Sequence, residues 1–233
     1  ALGLAREGAS LVVNARSTEA EAREVVESAR ALGAQAEAFM GDIGQRAVVN
    51  ALVEATVRRF GAVHILVNVA GVRPARPFLE ITDEELQAVL SVNLLGSWYA
   101  AQAALPYMVR QRYGRIVNFS GVMAFKGGKG RAHVLVSKTG ILGLTRALAM
   151  EFGEYGITAN TIVPGAFATQ RQMEWYPKEY HPDWQSGQRA EAIPAKRLGE
   201  PEEIAGVVVL LASDAGAFIN GQSVHVNGGE YVT

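Results

Sequence analysis

Lys138 follows Ser137 early in a long helical stretch, and its ε-amine offers three things: a hydrogen-bond donor while charged, a base once neutral, or an ordinary helix-surface cation. The tetrapeptide Asn68-Val-Ala-Gly71 leaves an apolar run on small residues, where a ligand could rest with little side-chain obstruction. A plain strand-to-helix turn has the same composition. Arg16-Ser17 places a cation and a hydroxyl just after Asn14, suited to a phosphate or to nothing more than an exposed surface. Asp42, next to Ile43, can accept from an amino group or cap a helix. His64, His133, His181 and His225 are too scattered for a zinc site, and with no cysteine there are neither disulfides nor thiolate ligands. Trp175, Tyr176, Tyr180 and Trp184 crowd one connection, either to cover an apolar or aromatic ligand or to pack on a neighbouring surface.

These residues need a scaffold. At 233 residues and 49% hydrophobic content, the chain can bury one large core, so residues 1–233 are expected to form a single domain. Twenty-two basic and 23 acidic residues leave a net charge of -1 with no basic run, which argues against nucleic acid or a membrane surface and for a small-molecule partner. No apolar stretch approaches the roughly 18 to 20 residues of a bilayer span, and no signal-peptide pattern opens the chain. A cytoplasmic location is expected.

Apolar runs of strand length alternate with segments of helical period, the pattern of βαβ units that build a parallel sheet buried on both faces. Strands are predicted near Ser10–Asn14, Gln35–Met40, Val63–Asn68, Arg115–Phe119, Thr158–Val163 and Ser223–Val226, and helices over 18–32, 45–59, 82–112, 133–153 and 201–213. Thr82-Asp-Glu-Glu85 is a capping box, Gly33 and Gly61 stand where helices should stop, and Pro201-Glu-Glu203 opens the last helix. Residues 166–196 form a long connection of the kind that usually serves as a lid. Ala1–Glu7 reads as the end of a helix, so the chain begins inside a βα unit. The expected fold is a Rossmann-type doubly wound α/β/α sandwich without its first strand and without the Gly-rich turn that would hold a pyrophosphate.

Taken in order, Asn68-Val-Ala-Gly71, Val92-Asn93, Gly114-Arg-Ile-Val-Asn118, Ser137-Lys138, Asn160-x-x-x-Pro164-Gly165 and Gly221-Gln222 through Gly228-Gly229 resemble the short-chain dehydrogenase/reductase family, classical type, and its 3-oxoacyl-carrier-protein reductase-like members. The resemblance runs the length of the chain. It implies an NAD(P)-dependent oxidoreductase acting on a carbonyl or alcohol, with Asn68, Ala70, Gly71, Asp42, Ile43, Lys138, Pro164, Gly165, Phe167 and Thr169 around the cofactor. Cofactor choice belongs to Asn14, Arg16 and Ser17, where no carboxylate stands, so NADP is favoured over NAD. A homo-oligomer, dimer or tetramer, is implied through the helices near 92–112 and 133–153, with Ala100, Ala101, Ala103 and Ala104 allowing close approach.

The family's catalytic set is incomplete here. Asn93 and Lys138 match, but the tyrosine that should stand four residues before the lysine is Val134, and the serine position is Gly121. Ser120 is one residue early, on the opposite face of an extended strand. His133 lies about 100° around the helix from the tyrosine position and is expected to pack or meet solvent; Tyr176, Tyr180 and His181 belong to the lid. Hydride transfer by the usual route is expected to be impaired. The alternative is a catalytically silent or non-redox protein that reuses the pocket, as a partner subunit or as a lyase or isomerase with Lys138 as base.

Overall fold

A computed structural model describes residues 1–169 and 188–232; the expected roles of Trp175, Tyr176, Tyr180, His181 and Trp184 lie outside the described residues. Its strands are β1 (Leu11–Ala15), β2 (Ala36–Met40), β3 (Ile65–Asn68), β4 (Gly114–Phe119), β5 (Ile157–Pro164) and β6 (Ser223–Val226). Its helices are α1 (Leu2–Arg6), α2 (Glu19–Ala31), α3 (Arg46–Phe60), α4 (Asp83–Leu90), α5 (Gly96–Gln111), α6 (Met123–Lys126), α7 (Ala132–Phe152), α8 (Gln188–Ala192) and α9 (Pro201–Ala212). Every strand pairing is parallel.

Parallel strands need crossovers, and the sequence supplies an amphipathic helix for each. Adjacent residues on β4 divide the core between two layers. Ile116 joins Val53 of α3, Ala104 and Met108 of α5 and Ile141 of α7, while Val117 joins Leu4 of α1 and Val208 and Leu211 of α9. That split is the consequence of a two-residue strand period with helices on both faces, and it defines a three-layer α/β/α Rossmann-type sandwich. A third cluster, with Ala5, Val26, Ala29 and Ala36, ties α1 and α2 to the β1–β2 pair.

The sheet is in two parts, β2-β1 and β3-β4-β5-β6, with no ladder joining β1 to β3 among the described residues. Leu11 of β1 nonetheless shares an apolar cluster with Ile65 and Val67 of β3, so one core spans the division.

Two expectations need correction. The helix predicted over 82–112 is interrupted by a π turn at Ser91–Leu95 between α4 and α5. Ala100, Ala101 and Ala104 are buried within the chain's own core against α3, α7 and β4, because the narrow side chains admit close packing inside the subunit. The predicted punctuation is present. Thr82 and Glu85 form the capping box, Gly61 takes a left-handed φ of 81°, and Pro201 begins α9.

Candidate active site

The C-terminal ends of β3, β4 and β5 and the start of α7 meet where open α/β sheets bind ligands. Asn93 sits in the π turn, a local widening of the helix that is frequent at functional positions. From there its side chain brackets the loop after β3: Oδ1 accepts from Val72 N at 2.7 Å, and Nδ2 donates to Val72 O at 2.9 Å and to Ser137 Oγ at 3.0 Å. Ser137 Oγ in turn donates to Val134 O at 2.7 Å. Asn93 is 1% exposed, so these bonds form away from water.

Lys138 Nζ donates to Phe119 O at 2.9 Å. Burial pulls its pKa down to about 8, and the nearby Arg73 adds to the effect. A Cβ built on the exposed Gly71 would lie 3.1 Å from Asn93 Oδ1 and 3.3 Å from Lys138 Nζ. With no side chain at Gly71, the loop backbone comes close to the amine and to Asn93, where any Cβ would crowd both. Val134 is buried one helical turn before Lys138, and Gly121 faces open space, with no heavy atom within 4 Å of its ideal Cβ position. Ser120 does not replace a serine there: its hydroxyl donates to Lys138 O at 2.9 Å, from the opposite side of the strand end.

Other predicted residues have structural partners. Asn68 Nδ2 donates to Asn118 Oδ1 at 2.8 Å, Asn118 Nδ2 donates to Thr145 Oγ1 at 2.9 Å, and Thr145 meets Thr161 at 2.7 Å. This buried polar chain links β3, β4, α7 and β5. Asn14 Nδ2 donates to Phe39 O at 3.0 Å and Gly41 O at 3.1 Å, clamping the ends of β1 and β2 together. Arg16 lies 3.9 Å from Asp42, whose Oδ1 also accepts from Gly44 N at 2.8 Å, so the two residues expected at the adenosine end are neighbours. Ile43 packs on Gly96 at the start of α5. Beyond β5, Gly165 N donates to Val226 O at 2.9 Å, Phe167 bridges to Gly199, and Thr169 stays exposed. Ser17 and Ala70 are exposed at the ends of β1 and β3.

A nicotinamide dinucleotide needs a close approach of backbone to the ring, a ribose donor and polar groups at the adenosine end. Gly71, Lys138, Arg16 and Asp42 fit those needs. Sequence reasoning missed the ion pairs on Glu230, which Lys126 Nζ approaches to 3.4 Å and Arg189 Nη2 to 3.8 Å.

Comparison with known proteins finds relatives along the whole chain. The family model for enoyl-(acyl carrier protein) reductase matches residues 1–230. The chain is 34% identical over 232 residues to a 3-oxoacyl-(acyl-carrier-protein) reductase of Staphylococcus epidermidis, covering 100% of this chain and 93% of the relative. It is also 34% identical to L-rhamnose 1-dehydrogenase (NAD(P)(+)) of a Sphingomonas strain, covering 100% of this chain and 90% of that one. The crystal structure assigned to a short-chain alcohol dehydrogenase of Sinorhizobium meliloti superposes with a TM-score of 0.91 at 35% identity, covering 99% of this chain and 89% of its own. The chain belongs to the short-chain dehydrogenase/reductase family, a family of oxidoreductases. Homologues in that family use a nicotinamide cofactor and bind small-molecule substrates. Among the described residues, no helix is long and apolar enough to cross a membrane.

Proposed function

We propose that this protein transfers hydride between NADP(H), favoured over NAD(H), and a small carbonyl or alcohol substrate with an apolar or aromatic body, and that the chain as written does so weakly. The observation that carries the reading is the Asn93–Ser137–Lys138 cluster, which the side-chain-free backbone of Gly71 approaches closely. Lys138 and Gly71 would receive the nicotinamide ribose. Asn68, Ala70, Pro164, Gly165, Phe167 and Thr169 would flank the ring, while Asn14, Arg16, Ser17, Asp42 and Ile43 would shape the adenosine end. Arg16, just past β1, supports a 2′-phosphate, for which it would exchange its 3.9 Å pairing with Asp42. The cofactor supplies the hydride; the chain's own residues bind and orient.

Weak turnover follows from Val134 and Gly121. A general acid is worth roughly 10²- to 10⁴-fold, and valine has no proton to give. Trp98, Val136 and Met150 expose apolar side chains on α5 and α7, which supports assembly into a cytoplasmic dimer or tetramer through those helices. The test is NADPH oxidation by the original chain and by Gly121→Ser, Val134→Tyr and their combination, each with its thermal midpoint recorded with and without NADPH. A gain of about 10²-fold or more in the doubly substituted chain supports the reading. A folded double variant that binds NADPH yet gains nothing, or a chain that shows no midpoint shift with NADPH, refutes it.

A further inference from the structure

One carboxylate at the edge of the site is only half used. Glu230 follows the Gly228-Gly229 turn after β6, and its side chain, 13% exposed, turns back against the C-terminal end of β5. The fold fixes it there. Glu230 N donates to Asn227 O at 3.0 Å, Gly229 N donates to Asn227 Oδ1 at 2.9 Å, and Asn227 Nδ2 donates to Tyr231 O at 2.8 Å, so the tail is wound around Asn227. Asn227 in turn lies against Gly165. A Cβ built on that glycine would be 2.7 Å from Asn227 Cβ and 2.8 Å from Glu230 Oε2, so only a residue without a side chain lets the carboxylate come this close to the strand end.

The same corner borders the rest of the site. Pro164 O accepts from Val122 N at 2.9 Å, which joins the Gly165 segment to the serine position, Gly121, where no heavy atom fills the space at the Cβ position. Cations reach Glu230 from two sides. Lys126 Nζ of α6 lies 3.4 Å from Oε1, and Arg189 Nη2 of α8 lies 3.8 Å from the same oxygen. A carboxylate that served only to clamp those two helices could present one oxygen to each. Here both cations approach Oε1, while Oε2 is buried and has no hydrogen-bond partner among the described residues. A buried acceptor left without a donor is costly, so the arrangement is complete only when a donor arrives.

We infer that Glu230 Oε2 accepts a hydrogen bond from a hydroxyl group of the substrate, so that the substrate class is a hydroxy carbonyl compound or the corresponding diol. This deepens the hydride-transfer reading and rests on it for the reacting end. The charge at the corner selects the kind of donor. With Lys126 and Arg189 beside one carboxylate there is no net negative charge to hold an ammonium, whereas a neutral O–H needs only the bare lone pairs of Oε2. The strand order places β5 and β6 at the opposite side of the sheet from β1 and β2, which carry Arg16 and Asp42, so the donor does not come from the adenosine end. The carboxamide N–H of the cofactor is the other neutral donor suited to Gly165, and the experiment separates the two.

Binding, not turnover, tests it. The thermal midpoint of the chain is followed against 2-hydroxyacetophenone, 3-hydroxypropiophenone and the methyl ether of each, with NADP+ present, a cofactor form that has no hydride to give a ketone. At least one alcohol should bind about tenfold or more tightly than its ether, the effect of one hydrogen bond to a charged group. Glu230→Met, similar in length and without a carboxylate, should lose that margin. Glu230→Gln should lose it too, because its amide oxygen stays with Lys126 and Arg189 and its N–H then meets an alcohol or an ether oxygen alike. The shift given by NADP+ alone should be the same in both variants as in the original chain, which also reports that they fold. Equal binding of alcohol and ether by the original chain, a margin that survives both substitutions, or no response to either alcohol overturns the inference. A response to NADP+ alone that falls in both variants as far as the alcohol's assigns Oε2 to the carboxamide and overturns it as well. None of these readouts needs hydride transfer, so failure of the redox reading appears separately, as an alcohol preference that depends on Glu230 without NADPH oxidation.

Discussion

Replacing Asn93 with alanine removes three hydrogen bonds made by a side chain that is itself fully buried. Val72 N and O lose their side-chain partners and Ser137 Oγ loses a donor. Val72 itself is half-buried, so one of its two groups can rehydrate; the other carries a desolvation cost of about 1–3 kcal/mol, and the lost Ser137 contact adds about 1 kcal/mol. The sum is about 2–4 kcal/mol, or a fall in Tm of about 10 °C for a chain of this size. Urea unfolding of Asn93→Ala should shift the midpoint with little change in slope. Ser137→Ala alone should cost about 1 kcal/mol, and the double variant should lose less than the two single losses added, because they share a bond. A loss below about 1 kcal/mol in Asn93→Ala, or strict additivity with Ser137→Ala, would refute the bracket.

Lys138 gives a pH signature. Its folded pKa of about 8 lies below the value of about 10.4 expected in the unfolded chain, so between those limits the unfolded state binds the extra proton. Stability relative to Lys138→Met should rise with pH across that window, and denaturation at pH 8 and pH 10 measures it. Arg115→Ala should cost about 2–4 kcal/mol, since the buried guanidinium serves Gly114 O, Gly156 O and Ser213 O. Asp214→Asn should change stability by less than about 0.5 kcal/mol, because that partner's side chain is 89% exposed; equal losses in chemical denaturation would contradict this. Gly165→Ala should cost about 1–3 kcal/mol, as its Cβ would lie 2.8 Å from Asn227 Cα, and calorimetry checks it. Gly121→Ser, with open space at its Cβ, should leave the Tm within about 2 °C.

Much of the fold was legible because burial on two faces writes itself into composition. The run Ile-Val-Asn-Phe in β4 and the spacing of Val49 and Val53 in α3 needed no tertiary knowledge. Thr82 and Glu85 were readable because a capping box is local. The π turn was not, since one extra residue in a helical turn barely disturbs the apolar period around Asn93. Side-chain partners were hidden for a different reason. Asn14 faces carbonyls 25 and 27 residues away, and Asn68 meets Asn118 across 50 residues, distances at which no local pattern carries information. The ion pairs of Lys126 and Arg189 with Glu230 were hidden likewise, because their partners are distant in the sequence.

The buried chain from Asn68 through Asn118 and Thr145 to Thr161 has a consequence for anyone recombining this protein with its relatives. Four segments that look exchangeable by their loops are joined by one polar thread. A chimaera whose crossover falls between β3 and β4 separates Asn68 from the other three, and one between α7 and β5 separates Thr161; where the second parent has a different residue there, a buried polar partner is left unpaired. Such crossovers should yield few folded hybrids unless the second parent carries the same residue at the separated position. Junctions that leave the quartet intact, such as one in the turn between α2 and β2, should be tolerated far more often.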